Sequence, residues 1–112
     1  MTDRELLELA AKAAEKEGWE YVENECRNGR RVWGYYSSLM EVCWNPLTYD
    51  GDAMRLAAKL GLAVRIEYQV GSTSVLWWAR GGYVRESHGG DPYAATRRAI
   101  VRAAAEIGKG IV

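Results

Sequence analysis

Leu62-Ala63-Val64-Arg65-Ile66-Glu67-Tyr68-Gln69-Val70 is the stretch on which the fold turns. Its even positions are apolar, while Arg65, Glu67 and Gln69 are polar. A period of two over this length predicts a strand with one buried and one wet face. Such a strand belongs to an antiparallel sheet covered on one side. Gly71-Ser72-Thr73-Ser74 then turns the chain. Val75-Leu76-Trp77-Trp78-Ala79 reads as a second strand, apolar on both faces. Arg80-Gly81-Gly82 turns again and Tyr83-Val84-Arg85-Glu86 is a third strand, which completes a meander.

Upstream, Ala53 to Leu60 is helical in pattern, with Leu56, Ala57 and Leu60 on one side and Gly61 as its stop. Before it lies Tyr49-Asp50-Gly51-Asp52. Two alternating carboxylates suggest a cation loop, but no further acid follows, and Arg55 is a cation. The pattern fits a helix start better, with Asp50 or Asp52 accepting a backbone N–H. Further upstream, Trp19 to Glu23 and Val32 to Tyr36 read as strands joined through Asn28-Gly29, a strong hairpin signal. Gly34 interrupts the second of them, and a short extended piece over Leu39 to Cys43 follows.

Both ends of the chain are helical. Thr2-Asp3-Arg4-Glu5 matches a capping box, and Leu6, Leu9, Ala10, Ala13 and Ala14 recur at helical spacing. The pattern predicts a helix over about residues 3 to 17, stopped by Gly18. Asp91 caps a last helix with Pro92 in its first turn. Tyr93, Thr96, Ile100, Ala103 and Ile107 predict its buried stripe, and Gly108 its end. The order of elements predicts one α+β domain over residues 1–112. It is expected to be an antiparallel β-sheet, made of the meander plus the N-terminal hairpin, with helices packed on one face in two layers.

Composition narrows the function classes. The 112 residues carry 15 basic and 15 acidic side chains, for a net charge of zero. A domain that binds nucleic acid by charge alone is normally basic. No apolar run approaches the ~20 residues of a membrane span. The N-terminus does not read as a signal peptide, so a cytoplasmic location is expected. Cys26 and Cys43 then read as reduced thiols. Five Trp and seven Tyr stand against no Phe. Such rings suit interfaces that are apolar on one side and hydrogen-bonded on the other.

No catalytic set assembles from the sequence. His88, the only histidine, sits between Ser87 and Gly89-Gly90 without a nucleophile motif. Phosphate-binding glycine loops are absent, and no metal or cofactor site is expected. The best candidate for partner contact is the hairpin: Arg27, Arg30 and Arg31, with Trp33, Tyr35 and Tyr36 behind them. Arginine beside aromatic rings anchors protein interfaces, and it also grips phosphates and stacks on bases. Arg97, Arg98 and Arg102 either extend a basic surface or pair with Asp3, Glu5 and Glu8.

Three blocks carry a family likeness: Thr2 to Ala10, Trp44-Asn45-Pro46-Leu47 ahead of Asp50-Gly51-Asp52-Ala53, and Asp91 to Val101. Together they resemble small proteins encoded by phages and prophages of proteobacteria, including the phage protein NinX-like group. The resemblance leaves the hairpin and the meander outside it. It implies an origin and brings no reaction, cofactor or functional residue. The resulting expectation is a non-enzymatic accessory protein that binds a host or phage protein in the bacterial cytoplasm. Weak nucleic-acid binding through the basic hairpin is the alternative.

Overall fold

The computed structural model describes residues 1–27, 29–78 and 81–111. The expected turn residues Asn28 and Arg80, the expected strand residue Ala79, and Val112 lie outside the described residues. The elements in chain order are α1 (Asp3–Ala13), β1 (Glu20–Arg27), β2 (Arg30–Ser37), β3 (Val42–Trp44), α2 (Asp50–Leu60), β4 (Ala63–Glu67), β5 (Ser72–Trp77), β6 (Gly82–Ser87) and α3 (Pro92–Lys109). This is the expected α+β class, with antiparallel strands and helices packed against them. The strands divide into two three-stranded sheets, β1-β2-β3 and β4-β5-β6, where the sequence predicts a single sheet of meander plus hairpin; no strand of one pairs with a strand of the other among the described residues.

The start of α1 is the capping box that the sequence predicts. The Thr2 hydroxyl accepts the Glu5 N–H at 3.2 Å, and the Glu5 carboxylate accepts the Thr2 N–H at 3.1 Å. The helix ends earlier than predicted, at Ala13 rather than at residue 17. The reason is a left-handed Glu15 (φ 58°). Around it the Lys16 N–H bonds Ala11 O at 3.0 Å and the Glu15 N–H bonds Lys12 O at 3.2 Å. These paired bonds close a helix C-terminus in the way glycine normally permits. At the end of α2 the same two spacings recur around Gly61, the predicted stop.

The last helix, α3, is the centre of the molecule. It packs against α1, α2, β5 and β6. Its buried residues are mostly small: Ala95, Ala99, Ala103, Ala104 and Ala105, with Ile100 and Val101. Small side chains let neighbours approach from several directions. The predicted stripe is therefore partly wrong. Ile100 and Ala103 are buried, but Tyr93 stands 71% exposed. Gly108 does not stop the helix either. It lies within α3, and a Cβ there would run into the Leu9 carbonyl of α1. Arg98 pairs with Asp3 at 2.9 Å, which fastens the same two helices at their other ends.

The β4-β5-β6 sheet offers one face to α3. Directly opposed residues share a face. The registers Val64↔Val75↔Val84 and Ile66↔Thr73↔Glu86 therefore place Val64, Ile66, Thr73 and Val75 together. Val75 and Thr73 are buried, and the Thr73 hydroxyl bonds Thr96 of α3 at 2.8 Å and His88 at 2.9 Å. β5 is the central strand of the meander, but it runs Ser72–Trp77: Ser72, Thr73 and Ser74, expected in the turn, are paired strand residues, and the turn falls over 68–71. The expectation that β4 buries its apolar positions is corrected. Val64 is 37% and Ile66 59% exposed, because β4 is the edge strand and α3 lies under β5 and β6.

The other sheet sits apart from this centre. Its own small core is Val22, Val32 and Tyr36, with Cys43 packed against it. On its opposite face, Tyr35 and Trp44 join the main core. A bulge between Glu23 and Glu25, with left-handed Asn24, twists β1.

A candidate binding cleft

The Trp44-Asn45-Pro46-Leu47 segment positions this region. Asn45 is fully buried and bonded on every side. Its N–H donates to Asp52 Oδ2 at 2.9 Å, its side-chain amide to the Trp33 carbonyl at 2.9 Å, and its Oδ1 accepts the Leu47 N–H at 2.9 Å. Its carbonyl accepts the Thr48 and Tyr49 N–H groups. One asparagine therefore ties the edge of β2 to the first turn of α2. Close approach explains Gly34 as well. It holds φ +133°, and a Cβ there would meet the Trp44 carbonyl. The glycine that seemed to interrupt β2 is what lets this segment lie against it.

Asp50 and Asp52 do not cap α2, contrary to the sequence reading. The N-cap is Tyr49, with no side-chain cap bond. Asp52 instead turns inward to the Asn45 N–H and to Arg55 at 2.7 Å. Asp50 reaches across to Arg97 of α3 at 2.7 Å, and Arg97 also donates to Leu47 O at 2.9 Å. Both carboxylates act as ties between elements. Among the described residues, no three His, Cys, Asp or Glu side chains converge to hold a metal ion.

The arrangement leaves a cleft of about 410 Å³ between the hairpin and the start of α2. Val32, Tyr36, Val42 and Cys43 line its apolar part, and Arg30, Arg31, Arg55 and Tyr49 its polar part. Asp52 is the one acid in the lining, and it is already engaged by Arg55 and Asn45. Three arginines and one carboxylate line the cleft, which leaves it with an excess of positive charge; Arg55 is paired with Asp52 and Arg31 donates to the Asn24 carbonyl at 2.8 Å. Burial, together with the Asp52 charge, pushes the Cys43 thiol up; Arg30 and the Trp44 backbone oppose this less strongly. Cys43 is thus a protonated packing residue at neutral pH rather than an activated nucleophile.

Of the six residues singled out from the sequence, Arg30, Arg31 and Tyr36 line this cleft. Trp33 lines a second hollow of about 390 Å³ on the far side of Arg31 and Tyr49. Arg27 turns back onto Glu20 at 2.7 Å and Glu25 at 3.6 Å. Tyr35 packs edge-on against Tyr21, with ring centres 5.5 Å apart, and Tyr21 carries Arg4 over its ring at 4.7 Å. The six do not form one patch, because Arg27 is folded onto Glu20 and Glu25, Tyr35 packs against Tyr21, and Trp33 lines the second hollow. Sequence reasoning missed Arg55 and Tyr49, which approach the hairpin only through the Asn45 connection. Their signal in the sequence is faint: an arginine on a short helix and a tyrosine before it.

His88, Arg98 and Arg102 have structural duties. His88 bonds the buried Thr73. Arg102 pairs with Glu86 at 2.6 Å and donates to Arg85 O at 3.0 Å. Of the two alternatives for the α3 arginines, Arg98 takes the pairing with Asp3. Among the described residues, no helix is long and apolar enough to cross a membrane. Comparison with family models, curated proteins and solved structures returned no match.

Proposed function

We propose that this chain is a non-enzymatic binding protein whose Arg30–Arg31–Arg55 cleft takes an acidic segment of a protein partner. The observation that carries this reading is the excess of two positive charges over an apolar floor: Arg30, Arg31 and Arg55 line the cleft, and its single carboxylate is paired with Arg55. Arginine presents planar, bidentate donors to carboxylates. Arginine and tyrosine beside a desolvated apolar surface are the usual anchors of protein interfaces. The likeness of the Thr2–Ala10, Trp44–Ala53 and Asp91–Val101 blocks to phage-encoded proteins supports an accessory role in the cytoplasm of a host bacterium.

The test compares the wild type with an Arg30→Glu/Arg31→Glu/Arg55→Glu variant as bait in lysate of infected and uninfected cells. A protein that the wild type recovers and the variant loses supports the reading. Equal recovery by both baits overturns it. The second reading is that the cleft arginines hold nucleic-acid phosphates, with Tyr36 and Tyr49 of the same lining beside them. That reading predicts binding of a single-stranded oligonucleotide that weakens steeply with salt.

A further inference from the structure

The edge of the meander has chemistry of its own, remote from the arginine cleft. β4 pairs only with β5, so its other edge is unpaired among the described residues. The apolar face along this edge is exposed: Val64, Ile66 at 59%, and Tyr68 at 85% in the turn that follows. Below it lies a shallow groove of about 160 Å³, lined by Ile66, Met54 of α2, and Tyr93 and Ile100 of α3. Met54 is 67% exposed, so the apolar ground continues beyond the strand. An exposed edge with an apolar face is a template for pairing with another strand.

The charges on the opposite face choose the occupant. Arg65 and Glu67 flank Ile66 and lie 3.6 Å apart at their charged ends. Two copies of β4 set antiparallel about Ile66 would place Arg65 of each opposite Glu67 of the other. Ile66 would then oppose Ile66, and Val64 would reach Tyr68. Opposite charges on directly opposed strand residues stabilise a pair, and like charges destabilise it. The register one step away, centred on Arg65, would place arginine against arginine. β4 is thus complementary to itself in one register. A two-fold contact of this kind uses the same patch on both partners.

We propose that two copies of this chain associate through antiparallel β4–β4 pairing centred on Ile66, joining two three-stranded sheets into one of six. The interface combines a short strand with a small groove, so the dimer forms only at elevated concentration, roughly 10 to 500 µM. Sedimentation across that range should show the mass rising from 12.6 kDa towards twice that value. Ile66→Asp, at an exposed position, should fold normally and remain a monomer throughout. Arg65→Glu and Glu67→Arg should each abolish the dimer, and the double exchange should restore it. An Ile66→Cys variant should oxidise to a symmetric disulfide, seen by peptide mapping. Directly opposed residues sit about 4.5–5.5 Å apart at Cα, within disulfide reach. A chain that stays monomeric across the range overturns the proposal. So does a dimer indifferent to Ile66→Asp, or a double exchange that restores nothing.

Discussion

The two sheets are held in different ways. The β4-β5-β6 sheet is held by burial. Val75 and Val84 sit in the main cluster with the small residues of α3, which approach closely because they are small. The β1-β2-β3 sheet is held by direction. Its private core is Val22, Val32 and Tyr36 with Cys43 against them, only Tyr35 and Trp44 reach the main core, and its hydrogen-bonded tie to α2 runs through one asparagine. Burial is diffuse and tolerates local change, whereas a hydrogen-bonded hub concentrates its effect in a few atoms. The candidate cleft lies beside the sheet held in the second way.

The largest effect expected is at the centre held by burial. Gly108→Ala would drive a methyl into the Leu9 carbonyl and should destabilise by about 3 kcal/mol. Urea unfolding would report it as a lower midpoint for the whole chain. Asn45→Ala comes next, at about 2 kcal/mol, because it leaves the part-buried Leu47 N–H without its side-chain acceptor and the Trp33 carbonyl with only the weak Cys43 thiol donor at 3.5 Å. Its signature should be regional. Hydrogen exchange should quicken in β2, β3 and the first turn of α2 while α1 and α3 stay protected. Equal loss of protection in α3 would show that the two regions are one cooperative unit, and the contrast would fail.

Thr73→Val removes a buried hydroxyl that serves both His88 and Thr96. It should cost about 1–2 kcal/mol and loosen the β4-β5-β6 side. Glu15→Gly should have the opposite sign. It relieves a left-handed non-glycine residue and should raise stability by about 0.5–1 kcal/mol in urea unfolding. The smallest effect is chemical. A thiol reagent at neutral pH should label exposed Cys26 first and the half-buried Cys43 slowly. Burial raises the Cys43 pKa, so its thiolate fraction at neutral pH is lower than that of an ordinary thiol. Its labelling should gain speed only above the usual thiol range. Fast labelling of both would mean that the β1-β2-β3 sheet opens readily.

What could be read from sequence followed from local rules. The capping box at Thr2, the Asp91 cap and the Gly61 stop depend on residues within four positions, and all three stand. The end of α1 was misread because Glu15 occupies a conformation that sequence assigns to glycine. The exposure of Val64 and Ile66 could not be read, since alternation reports which face a residue takes and not whether anything covers it. A cap by Asp50 or Asp52 is what local rules predict, and neither makes one because their partners, Arg97 and the Asn45 N–H, come from other elements. The cleft was half legible. Arg30, Arg31 and Tyr36 stood out, while Arg55 needed the fold to reach them.

The pairing of α1 with α3 has a bearing on the order of assembly. Asp3 meets Arg98 across 95 positions of sequence, and Leu9 meets Gly108. α1 thus waits for α3, which follows it by about eighty residues of synthesis. The Asn45 connection, by contrast, spans at most 12 positions and closes early. During synthesis the hairpin side can therefore take shape while Leu6, Leu7 and the alanine face of α1 are still uncovered. Leu6 and Leu7 are the part of that face open to a wrong partner until α3 covers it.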